Sequence, residues 1–148
     1  MIQNYTISSD IDCSMTHFAT IGDVMNQFIA NIEGNSNTIH NLVVNSSFIA
    51  FGKNCAIRNL IFNNLTIISN YPNLALMGRA ENCLIEGVQV INSIINMTDS
   101  NSTLSTVGAI VASSRNTSII NCNVMNSSII SNAIGSNSGG ILGKSFSS

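Results

Sequence analysis

Charge is what this sequence lacks most. Only 8% of its 148 residues are Asp, Glu, Lys or Arg, against about 25% in an ordinary globular domain. Three arginines, two lysines and a formal net charge of −2 leave no basic patch able to neutralise successive phosphates, so no nucleic-acid partner is expected. Aromatic residues make up 5% and tryptophan is absent, which removes the stacking platform that single-stranded bases need. No apolar run reaches the roughly 18 residues that read as a membrane span, and the opening MIQNYTISSD lacks the charged-then-apolar layout of a signal peptide.

Cysteine is sparse as well. Cys13, Cys55, Cys83 and Cys122 are too few and too widely spread for a small disulfide scaffold, and no C-x-x-C spacing suggests zinc. Nothing in the sequence asks for a metal or another cofactor.

What remains is apolar residues among amides and hydroxyls. Hydrophobic residues make up 45%, mean hydropathy is +0.31, and 23 Asn and 22 Ser accompany 23 Ile. Such a chain folds, with a surface of amide and hydroxyl groups. N-x-S/T triplets begin at Asn4, Asn45, Asn64, Asn96, Asn101, Asn116 and Asn126. They matter only in a eukaryotic secretory pathway, and this composition generates them readily.

Internal repetition is the main signal. SNTIHNLVV, NCAIRNLIF, NCLIEGVQV and NTSIINCNV align on Ile39, Ile57, Ile85 and Ile119. Three places on stand Leu42, Leu60, Val88 and Cys122; five places on stand Val44, Phe62, Val90 and Val124. These columns are expected in the core. The column after the isoleucine reads His40, Arg58, Glu86 and Ile120, as a solvent-facing position would. The next reads Asn41, Asn59, Gly87 and Asn121, residues that accept left-handed torsions and suit a corner. A second phrase, FIAFGK, LALMGR, VGAIVAS and GGILGKS, places small residues at Gly52, Gly78, Ala112 and Gly143. A third, NSSFI, NLTII, NSIIN and NSSII, follows the isoleucine phrases.

Short β-branched runs between Asn, Ser and Gly, with almost no proline, read as strands and tight turns. Units of this length that stack on one another predict an all-β parallel β-helix (β-solenoid) of short strands. Residues 1–148 read as a single domain, with lead-in coils over 1–47 and repeat coils over 48–148 that carry an inserted loop near 95–106. Strand edges at both ends make the chain read as a segment of a longer protein, expected to aggregate when expressed alone.

These phrases resemble the GLUG-type repeats of bacterial and protist surface proteins. GGILG (Gly139 to Gly143) matches best, LALMG and VGAIVA are degenerate versions, and the C-x-I-x-N phrases are similar to the segment that usually follows. YTISSDIDCS, FATIGD and FIANIEGNSNTIHNL look like the lead-in of such proteins, although Thr20 replaces the usual proline and Ala30 the usual glycine. The resemblance implies an extracellular or cell-surface location and an adhesion-like role, with a host or cell-surface glycan or protein as partner. It supplies no catalytic residues to carry over.

Candidate chemistry is thin. His40 and His17 have no carboxylate or second imidazole as near sequence neighbours, and a catalytic base needs an orienting partner, so both read as exposed side chains. Asp10, Asp12 and Asp23 are the one acidic cluster. Glycoside cleavage needs two carboxylates across one bond, and calcium needs six to eight oxygens; a solvated strand is the preferred reading and weak cation binding the alternative. GGILGKS is not a phosphate loop, because the position where a Walker glycine is required is Ser138. Cys55 and Cys83 share a column, and coils about 4.8 Å apart would bring them within disulfide reach. Free buried thiols are preferred.

Two functional expectations follow: a non-enzymatic surface or secreted β-solenoid serving as stalk or adhesive module, or a pectin-lyase-like β-helix that binds or degrades polysaccharide. Convergence of Asp10, Asp12 and Asp23 in one groove beside a basic residue would favour the second. A flat ice-binding face is disfavoured by the irregular column at His40, Arg58, Glu86 and Ile120.

Overall fold

A computed structural model describes residues 2–99 and 105–146, and among them every regular element is a β-strand. All strand pairings are parallel, and the chain winds as five stacked coils whose strands form four long faces. It is a parallel β-solenoid. The first face stacks Gln3–Thr6, Ala30–Glu33, Ala56–Arg58, Leu84–Glu86 and Ser118–Ile120. The second stacks Ile11–Asp12, Thr38–His40, Ile61–Asn63, Gln89–Ile91 and Asn123–Met125. The third holds Val43–Val44, Thr66–Ser69, Ile94–Met97 and Ser128–Ser131, and the fourth Ile49–Lys53, Met77–Glu81, Val111–Arg115 and Leu142–Phe146. A two-stranded sheet, Thr106–Gly108 with Asn137–Gly139, lies between the third and fourth faces in chain order.

Each face sends one aliphatic column inward. Ile32, Ile57, Ile85 and Ile119 pair along the first, with the exposed Tyr5 in register on the end coil, and Ile39, Phe62, Val90 and Val124 along the second, with the exposed Ile11 in register on the end coil. Val44, Ile67, Ile95 and Ile129 pair along the third; Ile49, Met77, Val111 and Leu142 along the fourth. The central members are buried, whereas Ile119, Val124 and Ile129 on the last coil are partly buried. At the other end Phe18 stacks on Phe48, with ring centroids 5.1 Å apart, and Phe48 meets Phe62 edge-on at 5.3 Å.

The corners are asparagine. Asn41, Asn64, Asn92 and Asn126 turn the chain from second face to third; Asn54, Asn82 and Asn116 turn it from fourth to first, all with φ between 48° and 60°. Gly87 (φ 64°) takes this role between Asn59 and Asn121 at the first-to-second corner. A left-handed torsion costs other L-residues about 1–2 kcal/mol, which Asn tolerates best among those with a side chain. Their amides then bond along the stack: Asn64 Nδ2 donates to Asn41 Oδ1 at 2.8 Å and Asn82 Nδ2 to Asn54 Oδ1 at 3.2 Å.

Three expectations are corrected by the register. Ile39 pairs with Phe62 on the second face, while Ile57 pairs with Ile32 on the first, so the first phrase sits one corner further along than its aligned partners. Leu42 and Val44 accordingly belong with Leu65 and Ile67 rather than with Leu60 and Phe62. The cause is degeneracy: Ile57-x-Asn59-Leu60-x-Phe62 and Phe62-x-Asn64-Leu65-x-Ile67 carry the same five-residue pattern at successive corners. Gly52 pairs with Ala80, two places out of line with Gly78, Ala112 and Gly143. The expected loop near 95–106 starts later, since Ile95 to Met97 remain in strand; its segment 100–104, with the Asn101 triplet, lies outside the described residues.

Candidate functional site

His40 and the carboxylates were the first candidates. On the second face His40 pairs with Asp12 and Asn63, and its Nε2 lies 4.0 Å from Asp10 Oδ2, a carboxylate thirty residues away in sequence. Asp10 Oδ1 accepts from the Thr38 backbone N–H at 2.7 Å. Asp12 accepts from Asn41 Nδ2 and the Ser14 backbone N–H, and these bonds hold its carboxyl below the usual aspartate range. Asp23 is elsewhere. It sits between Ile21 and Phe28, which bridge to Ile49 and Gly52 of the fourth face, and it accepts from the backbone N–H groups of Asn26 and Met25 at 2.7 Å each. Those two bonds depress its pKa. Asp23 is therefore apart from Asp10 and Asp12, which flank His40, and each of the three fixes local backbone. His17 lies in the loop after the first-coil strand, beside Cys13 and Phe18.

The outward column of the first face is Glu33, Arg58, Glu86 and Ile120, without His40. Opposite charges alternate there: Arg58 Nε lies 3.6 Å from Glu86 Oε2. The Asn35 backbone N–H and Asn59 Nδ2 hold the Glu33 carboxyl low, with a smaller contribution from Arg58. The pairing looks irregular in sequence because its members stand 25 and 28 residues apart.

The fourth face carries the feature that sequence reasoning missed. Lys53, Arg79, Arg115 and Lys144, four of the chain's five Lys and Arg residues, all lie on its strands with a single carboxylate, Glu81. Register brings them together: Phe51, Arg79, Ser113 and Lys144 form one column, and Lys53, Glu81, Arg115 and Phe146 the other. Lys53 and Arg79 both reach Glu81, at 3.6 and 3.7 Å, and the Arg79 guanidinium lies 4.6 Å from the Phe51 ring centre. Lys144 stands 4.7 Å from the Phe146 ring centre. Among the described residues neither Arg115 nor Lys144 forms an ion pair. The only available signal was the recurrence of one cation in each small-residue phrase or just after it: Lys53, Arg79, Arg115 and Lys144.

A cleft of about 360 Å³ opens between these strands and the segments that link the third face to the fourth. Arg79, Arg115, Lys144 and Phe146 line one side, and Asn73 and Asn137 the other. Ser113 and Ser114 stand within it, largely buried. Guanidinium forks, a lysine ammonium, two amides and a half-exposed aromatic ring present donors and a flat apolar surface together, a combination suited to a hydroxylated ligand. The GGILGKS phrase contributes here through Lys144, in a strand rather than a phosphate loop.

Among the described residues no three His, Cys, Asp or Glu side chains assemble as a metal site, and no helix is long and apolar enough to cross a membrane. No protein-family model, no curated protein and no solved structure matches the chain.

Proposed function

We propose that this chain is the binding module of a secreted or surface-exposed β-solenoid protein of the GLUG-repeat kind, non-enzymatic, with the fourth-face cleft as its contact site for a glycan. The observation that carries this is the gathering of three of the five cations, Arg79, Arg115 and Lys144, and an exposed aromatic ring around one concave, amide- and hydroxyl-lined surface, in a chain otherwise nearly free of charge. Recognition on a rigid scaffold through its connecting segments is the usual arrangement. Among the described residues no carboxylate lines the cleft, Asp10 and Asp12 flanking His40 on the second face and Asp23 lying apart from them, which favours binding over cleavage there, because glycoside hydrolysis needs paired carboxylates facing one bond.

Immobilised glycans of varied chemistry should retain the folded chain, and Ser113→Trp, which fills the cleft, should abolish retention while the far-ultraviolet circular dichroism stays unchanged. Retention unaffected by that substitution would remove the cleft from the proposal, and failure of the folded chain to bind any glycan would remove the function.

A further inference from the structure

Resting on that reading, we infer that the glycan taken by the fourth-face cleft is acidic, its carboxylate or sulfate groups held by Arg115 and Lys144. The distribution of charge is the first support. The strands of the fourth face carry Lys53, Arg79, Arg115 and Lys144 against Glu81; Asp23 lies at the first-coil end of this face, between the residues that bridge to Ile49 and Gly52, and Arg58 is the one other Lys or Arg. A protein of net charge −2 thus holds one locally positive strip, which attracts anions and lets them approach from one side only.

Neutralisation within the strip is the second support. Glu81 engages Lys53 and Arg79. Two cations on the next two coils, Arg115 and Lys144, have no carboxylate partner among the described residues and point to the same cleft. A pair of surface cations with spare donors is a site for an oxyanion, and guanidinium matches carboxylate or sulfate with two parallel hydrogen bonds.

Geometry is the third. Lys144 and Arg115 sit on neighbouring coils in adjacent outward columns, so they are diagonal neighbours, offset by about one 4.8 Å strand spacing along the solenoid axis and by two residues along the strand. A polysaccharide laid across this patch meets Arg115 and Phe146 on successive coils of one column, and Ser113 and Lys144 on successive coils of the column beside it. Nucleic acid is a poorer fit, because so few cations would neutralise only two or three phosphates.

The test uses the full chain with three polysaccharides of similar length, namely a polyuronate (alginate), dextran sulfate and neutral dextran, together with polyglutamate, measured by titration calorimetry at two salt concentrations. Alginate or dextran sulfate should bind with an affinity that falls as salt rises, dextran and polyglutamate much more weakly. The double variant Arg115→Gln, Lys144→Gln should weaken the acidic polysaccharide by about tenfold or more, the scale of two lost charge-assisted hydrogen bonds. Arg58→Gln on the first face should change it by less than about twofold. Stronger binding of alginate than dextran sulfate, or the reverse, identifies the acid group. Equal binding of neutral dextran overturns the acidic assignment and leaves the cleft's glycan reading standing. Equal binding of polyglutamate overturns the glycan as ligand in favour of an acidic protein segment. An equal loss in Arg58→Gln overturns the placement. Absence of binding to every polymer removes this inference and the reading beneath it together.

Discussion

The sulfur atoms of Cys55 and Cys83 lie 2.8 Å apart, buried on neighbouring coils directly in register. Both stand as free thiols, as do Cys13 and Cys122. A shared proton separates their titrations. The hydrogen bond between them favours the Cys83 thiolate against the upward push of burial and draws Cys83 below the usual thiol range, while the same contact pushes Cys55 upward. Ultraviolet thiolate absorbance should therefore show one group ionising below the usual thiol range. In Cys55→Ala that group should ionise at higher pH, because the side-chain bond that favours its thiolate is gone while burial still opposes it. Identical titrations in both proteins would contradict the pairing.

At the second-to-third corner, Asn64 has φ 60° and bonds to Asn41. Asn64→Ala should cost about 1–2 kcal/mol for the left-handed torsion, with up to about 1 kcal/mol more for the lost hydrogen bond. Asn64→Gly keeps the torsion and loses only the bond, so chemical denaturation should rank it between wild type and the alanine variant. The reverse order would show that the amide ladder matters more than the backbone.

Phe62 is completely buried between Ile39 and Val90 in the second inward column. Phe62→Ala should destabilise by about 3–5 kcal/mol. Ile119, on the last coil and partly buried, should cost under about 2 kcal/mol when truncated, in line with its smaller buried area. Equal losses in thermal or urea melts would mean that the final coil is packed as tightly as the centre.

Acid should act through Asp12, Asp23 and Glu33, all held below their ordinary values of 3.8, 3.8 and 4.5 by hydrogen bonds that favour the carboxylate. A carboxyl whose folded value is lowered stabilises the fold above its unfolded value, and that contribution disappears as pH falls through the folded value. The melting temperature should be flat from neutrality to about pH 5 and then decline below about pH 4, where these groups take up protons. In Asn41→Ala the Asp12 carboxyl resonance should titrate at higher pH than in wild type, since its main hydrogen-bond partner is gone. An unchanged midpoint would exclude that bond.

Much of the architecture was legible in the residues themselves. Isoleucine with Leu and Val at three and five places, and Asn between them, specified inward columns and left-handed corners, and Asn59, Gly87 and Asn121 occupy the corner read for them. What the letters left open was which corner a phrase occupies. Ile39-x-Asn41-Leu42-x-Val44 fits the first-to-second turn as well as the second-to-third, and only pairing with Phe62 and Ile67 decides. The same ambiguity hid Glu33 beneath Arg58 and put His40 in the wrong column. The cleft was harder still: Arg79, Arg115 and Lys144 are isolated letters until the stacking of coils makes them neighbours.

Inward residues recur five places apart between the first and second faces (Ile57 to Phe62, Ile85 to Val90, Ile119 to Val124) and again between the second and third (Phe62 to Ile67, Val90 to Ile95, Val124 to Ile129). They recur eight apart from fourth to first (Ile49 to Ile57, Met77 to Ile85, Val111 to Ile119). Between third and fourth the interval runs 5, 10, 16 and 13, from Val44 to Ile49, Ile67 to Met77, Ile95 to Val111 and Ile129 to Leu142. From the second coil on, this seam absorbs most of the variation in coil length, and Asn73 and Asn137 on the rim of the cleft belong to it. Segments can be exchanged there without disturbing the aliphatic columns, so recognition in such a molecule is free to evolve, or to be engineered, while the machinery of folding stays constant.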